Sequence, residues 1–286
     1  MCAFTAAVKA RADALETDVH LTRDSVAVLS HDRSLKRCFG IDKKIADCEW
    51  SELSRIRTLQ PPHEPMPRLV DLLLYLAQPD LQHIWVLLDI KTDDSAEKMM
   101  KCLAQTIPAV PPDPGRPWNH RIVLGIWAAK YLPLCDQHLP EFPISLIART
   151  TCYARQFLST SNVSFNMLQK MLIGPTGARF MRDVKSAGRQ LFVWTVNEEI
   201  FMQWSIEKEV DGVITDEVEK FKRISQEWHE DRTPVSFSAM QLFDILWTRL
   251  VIMFYSAWLY HKFPESVQSS KRSEMRRRRK SCAVTQ

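Results

Sequence analysis

The stretch Ile84-Trp85-Val86-Leu87-Leu88-Asp89-Ile90-Lys91 constrains the fold more than any other. It is a nearly unbroken apolar run that stops in a charged pair, and such runs suit strands buried on both faces, as in parallel sheets. Parallel neighbours need crossover connections, usually helices. The chain supplies them, because strand patterns at about 14–19, 26–30, 121–127, 144–148, 163–165, 190–196 and 212–215 alternate with helical patterns at 68–77, 96–106, 150–160, 167–173 and 177–187. This alternation predicts a (β/α) barrel or a doubly wound sheet. One link breaks the rule. Residues 22–25 are too few to hold a crossover helix, so the first two strands cannot be independent βα units.

With 286 residues, 45% hydrophobic and 25% charged, the chain can fill one large barrel or two ordinary domains. The seven cysteines are scattered without a CxxC pair, which predicts reduced packing residues in a cytosol-facing protein. Residues 1–12 lack the basic start and apolar core of a secretory leader. The net charge of +4 is uneven: from Lys262 onward there are eight Lys or Arg and only two Glu, so the body is slightly acidic and the tail strongly basic. Division at the acidic and proline-containing stretch near 231–234 gives a catalytic-type body over 1–230, an apolar helix within 231–262 and a basic tail over 263–286.

The helix of the second segment is the most apolar part of the chain, although Asp244 and Arg249 interrupt it. Reaching the roughly 20 residues that span a bilayer requires including both charges. On a helical wheel Gln241, Asp244, Thr248 and Tyr255 form a narrow polar stripe, opposed by Phe243, Leu246, Trp247, Leu250 and Phe254. That pattern predicts a helix lying in a membrane interface, and the alternative is a helix packed on the barrel. Each basic residue of the tail would add about 1 kcal/mol of attraction to an anionic leaflet. The expected partner is therefore a membrane surface, contacted through residues 240–280, on the cytosolic face of an intracellular membrane or on a lipid droplet. A cytoplasmic location is the alternative. The Arg276–Lys280 cluster has no accompanying nucleic-acid-binding fold signal, and no nucleic-acid partner is expected.

Candidate chemistry begins at Glu16 and Asp18, which stand two apart in a strand and so point to one side of the sheet. His31 follows on the next strand. Two carboxylates and a histidine are suitable parts for metal-assisted phosphodiester chemistry, although the pair is equally the solvent face of an alternating strand. Asp89 and Lys91 repeat the two-residue spacing at the end of the long apolar run. A lysine there is ordinarily solvated, a His-Asp pair is ordinarily a loop feature, and Trp194 after Phe192 is ordinarily core. No GxSxG or Gly-rich phosphate loop is present, which argues against serine-nucleophile and nucleotide-dependent mechanisms.

Taken in order, 12–22, His31-Asp32, Leu88-Asp89-Ile90-Lys91, 193–197 and 210–216 resemble the glycerophosphodiester phosphodiesterase family, and within it the fungal phosphatidylglycerol phospholipase C-like proteins. The resemblance covers about residues 3–222. It implies a TIM (β/α)8-type barrel with its site at the C-terminal strand ends, and hydrolysis of a glycerol-based phosphodiester such as a phospholipid headgroup. It further implies Glu16, Asp18 and Asp89 as ligands of Mg²⁺ or Ca²⁺, His31 as a general acid/base, Lys91 as a neutraliser of phosphate charge, and Trp194 and Asn197 as substrate-lining residues. Relatives open with a strand ending in His-Arg-Gly and a Pro-Glu-Asn-Thr loop, which this sequence does not contain. As it stands, the polypeptide is therefore expected to lack the first barrel strand and the partner of His31 in proton transfer, and to hydrolyse little. A start codon assigned too far downstream, favoured because the other site residues are present, and a truncated paralogue are the two explanations. Two further readings stand beside phospholipid hydrolysis: a membrane-associated pseudoenzyme that binds lipid or a partner, and a soluble glycerophosphodiesterase.

Overall fold

The computed structural model describes residues 1–229 and 233–262, the side chains of 257–262 excepted. The basic tail over 263–286 lies outside the described residues. Eight strands form one sheet: β1 (Ala14–Leu21), β2 (Ala27–Leu29), β3 (Trp85–Ile90), β4 (Ile122–Ile126), β5 (Ile144–Ala148), β6 (Val163–Leu168), β7 (Leu191–Trp194) and β8 (Gly212–Val213). Their order is β2-β1-β3-β4-β5-β6-β7-β8, with every neighbouring pair parallel except β1 and β2. The short link at 22–25 explains that exception. It closes an antiparallel hairpin in which Val19 faces Leu29 and Leu21 faces Ala27.

Side chains alternate across each strand. Leu15, Val19, Val86, Leu88, Ile90, Leu124, Ile126, Leu146, Phe165 and Val193 point outward into the main core, where they meet the helices Leu69–Leu76, Ala96–Thr106, Pro175–Ser186 and Glu199–Glu207. The opposite face curls inward. Trp85 of β3 and Phe192 of β7 bring their rings to 5.6 Å although three strands separate them in the sheet. This interior is tight at Gly125, where a Cβ would lie 2.8 Å from Leu87 Cδ2 and 2.9 Å from Ile147 Cδ1. Among the described residues no ladder joins β8 to β1, but Lys222 of the helix Val218–Gln226 reaches Asp13 at 2.6 Å beside the start of β1. The result is a TIM-barrel-type curled sheet with its helices outside, as the alternating pattern predicts.

Two expected helices differ. The span 167–173 instead continues β6 to Leu168 and then makes the 3₁₀ turn Gln169–Met171. At 150–160 only Thr151–Ala154 is α-helical, followed by the turn Arg155–Phe157.

The apolar C-terminal segment forms the helix Ala239–Lys262. Its start is a capping box: Ser238 Oγ accepts from the Gln241 backbone N–H, and Gln241 Oε1 accepts from that of Ser238. The helix docks on the turn after β6 through its polar stripe. Lys170 Nζ lies 2.5 Å from Asp244 Oδ2, and Arg249 Nε donates to the Lys170 carbonyl at 3.2 Å. Among the described side chains of the helix, Ile245 alone is in the core. The opposite side is open: Phe243, Leu246, Trp247 and Phe254 are 57–74% exposed. Among the described residues no helix is long and apolar enough to cross a membrane.

Candidate active site

The carboxylates meet because of strand parity and register. Glu16 and Asp18 share the inner face of β1, and the β1–β3 ladder sets Asp18 directly beside Asp89. One oxygen from each of the three carboxylates lies within 4.8 Å of the other two. Lys91, two residues past Asp89 and on the same side, fills the space between them: its Nζ contacts Asp18 Oδ1 and lies 2.8 Å from Asp89 Oδ2. The other oxygen of Asp89 accepts from Trp127 Nε1 at 2.7 Å. Tyr131 Oη donates to the Lys91 carbonyl and holds that loop.

Electrostatics marks the cluster as short of positive charge. Burial pushes the Glu16 carboxyl up to about 8, and the negative charges of Asp18 and Asp89 add to it, against the pull of Lys91. Burial also raises Asp89, opposed by Lys91. Burial works to lower Lys91, but Asp89 and Asp18 outweigh it, so the ammonium is held above its usual range. Three carboxylate oxygens converging on one point, with an ammonium bridging two of them, is a donor set that fits a hard divalent cation.

His31 lies in the loop after β2, next to Ser30. The Ser30 N–H donates to the Asp18 carbonyl, which brings the chain back alongside the middle of β1. The imidazole is 74% exposed and its Nδ1 lies 2.9 Å from Asp32 Oδ1, while Arg37 Nε donates to the other Asp32 oxygen at 2.5 Å. Arg37 and then His31 hold the Asp32 carboxyl down at about 2. Trp194 and Asn197 line a cleft of about 260 Å³ together with Leu168, Lys170 and Thr248 of the C-terminal helix. Trp194 meets Trp127 edge-on at 5.8 Å, which connects the cleft to the carboxylates. Asn197 is already engaged: its Nδ2 donates to Asp216, and its Oδ1 accepts from Thr215 Oγ1 and the Asp216 N–H. One N–H is left for a ligand.

Of the seven residues singled out from the sequence, Asp89, Lys91, Trp194 and Asn197 sit at or just beyond the C-terminal ends of β3 and β7, where barrels of this type carry their chemistry, whereas Glu16 and Asp18 lie within β1 beside β3 and His31 lies in the loop after β2. Sequence reasoning did not single out Trp127, which donates to Asp89, or Arg149, whose guanidinium lies over the Trp127 ring at 4.8 Å. Trp127 and Arg149 are spaced by two from the inward Gly125 and Ile147, a parity signal that becomes readable only once the inner face is known.

The family model of the glycerophosphoryl diester phosphodiesterase family matches residues 1–220. A Mycobacterium tuberculosis protein named glycerophosphodiester phosphodiesterase 2 is 27% identical over 240 residues, covering 78% of this chain and 83% of that one. A human lysophospholipase D matches only a 53-residue stretch, at 47% identity, which is 18% of this chain and 17% of its own. Among solved structures, an Oleispira antarctica phosphodiesterase in complex with the product sn-glycerol-3-phosphate superimposes with a TM-score of 0.66 at 15% identity, over 79% of this chain and 90% of that one. A Thermotoga maritima glycerophosphodiester phosphodiesterase gives 0.57 at 24% identity, over 77% and 89%. The structural likenesses carry the fold, and the match over 1–220 carries the family: the chain belongs to the glycerophosphoryl diester phosphodiesterase family.

Proposed function

We propose that this chain hydrolyses glycerol-based phosphodiesters of the membrane-lipid class, of phosphatidylglycerol type, with Mg²⁺ or Ca²⁺ held by Glu16, Asp18 and Asp89. The single observation that carries the reading is the convergence of those three carboxylates and Lys91 beside the C-terminal end of β3 in a chain of this family. A divalent ion bound there supplies charge neutralisation for the phosphoryl oxygens. Everything else falls to the protein. Lys91 has three donors, two of them spent on Asp18 and Asp89, and presents the third to a phosphoryl oxygen. Asp32 accepts from His31 Nδ1, which leaves Nε2 as the basic nitrogen of the ring. Nε2 takes a proton from the attacking water as the water oxygen bonds to phosphorus, and returns that proton to the departing ester oxygen as the P–O bond breaks. Trp194 and Asn197 hold the glycerol portion in the cleft they line.

The orientation of the C-terminal helix supports action at a lipid surface. A helix packed on a barrel for stability turns its apolar face inward, whereas here the polar stripe faces the barrel and Phe243, Leu246, Trp247 and Phe254 face out. The full chain should release glycerol phosphate from glycerophosphoglycerol or from phosphatidylglycerol vesicles, each assayed with Mg²⁺, with Ca²⁺ and with chelator. Substrate cleavage in none of these mixtures would overturn the hydrolase reading. If calorimetry nevertheless showed metal binding, the lipid-binding pseudoenzyme would be favoured.

A further inference from the structure

Arg149 leaves the end of β5 on the inner side of the sheet, two residues past Ile147. Its guanidinium lies over the ring of Trp127 at 4.8 Å and over that of Tyr255, from the C-terminal helix, at 5.8 Å. Among the described residues no Asp or Glu pairs with it. Two other lysines of this end of the barrel are paired with acids: Lys91 with Asp18 and Asp89, Lys170 with Asp244. Aromatic rings attract a guanidinium through its faces, which leaves the in-plane N–H groups at its edge to donate. Those groups form a fork that matches two oxygens of one phosphate.

Charge balance gives this fork a purpose. The three carboxylates and Lys91 carry a formal surplus of two negative charges. A divalent ion would cancel that surplus and leave nothing over for an incoming phosphodiester anion. Arg149 shares Trp127 with the centre, because the same indole donates to Asp89 and lies 5.7 Å beneath Lys91. It is therefore an uncommitted positive charge at the mouth, fixed by the side chain that holds a carboxylate of the cluster.

We propose that Arg149 binds the phosphate group of the substrate, clamped between Trp127 and Tyr255, so that the C-terminal helix helps to build the phosphate site. The proposal rests on the phosphodiesterase reading of this mouth. Its test is calorimetric titration of glycerol 3-phosphate into the full chain with Mg²⁺ present, which needs no turnover. Arg149→Ala should bind about tenfold to a hundredfold more weakly, the range of a lost charge-assisted hydrogen bond. Arg149→Lys, which keeps the charge without the fork, should fall between, and the exposed neighbour Lys130→Ala should match the wild type. Mg²⁺ affinity measured without phosphate should be the same in all four proteins. Equal phosphate binding by Arg149→Ala and wild type would overturn the proposal alone. So would an equal loss in Lys130→Ala, which would mean a diffuse field, or a weaker Mg²⁺ site in Arg149→Ala, which would mean a structural role. If the wild type binds no glycerol 3-phosphate, the phosphodiesterase reading falls and this inference falls with it.

Discussion

Trp127 does two separate jobs at residue scale, donating from its indole N–H to Asp89 while its ring lies close to Lys91 and Arg149. Substitution by Phe keeps an aromatic ring and removes only the donor. Groups that orient a metal ligand from behind are worth about 10- to 100-fold in metal affinity or activity, so Trp127→Phe should weaken Mg²⁺ binding by that order in a calorimetric titration. An unchanged affinity would mean that Asp89 is oriented by other means. Asp32 supplies a pH signature. Its folded-state value near 2 is below the roughly 4 of an unfolded aspartate. The stabilisation is thus fully present above about 4 and is lost as the pH falls toward 2. Asp32→Asn should therefore lose less urea resistance than the wild type between pH 5 and 3, by a small margin because the group is partly solvated. The carboxylates and Lys91 were legible because strand parity is written locally, two residues apart. Trp127 and Arg149 were not, since their partners depend on the register between strands, such as Asp89 beside Gly125, which no local pattern encodes.

Elements were legible wherever burial was one-sided or complete over a long run, as in β3. The failure at 167–173 has a physical cause: Met167, Leu168, Met171 and Leu172 repeat at the three-to-four spacing of a helix face. A strand end followed by a 3₁₀ turn buries Met167 and Leu172 equally well, and seven residues are too few to separate the two. Leu172, just past that turn, also fixes the next helix. A Cβ on Gly177 would fall 1.9 Å from the Leu172 carbonyl oxygen, so the first turn of Pro175–Ser186 lies flat against the backbone that precedes it. Gly177→Ala should cost about 3 kcal/mol, the upper end of an overpacked substitution, and lower the urea midpoint accordingly. A variant with the wild-type midpoint would show that the helix entry can shift to make room.

At the scale of the whole molecule, the wheel pattern of residues 241–258 revealed two faces but not which one the barrel takes. The answer depends on Lys170, 74 residues from its partner Asp244, and such a pairing is invisible to any sequence window. With the polar side occupied, Phe243 and Phe254 stand 66% and 74% exposed. Replacing both by Asp should leave the fold intact and preserve hydrolysis of a soluble glycerophosphodiester. Flotation with phosphatidylglycerol vesicles should be lost. Retained flotation would assign vesicle binding to some other part of the chain.

Thr248 lines the same cleft as Trp194 and Asn197, so one wall of the cleft belongs to the helix whose outer face is apolar. An enzyme resting on that face meets its substrate by lateral diffusion in two dimensions. Its velocity would then follow the mole fraction of substrate in the surface, and inert lipid added at constant bulk substrate would slow it as surely as an inhibitor.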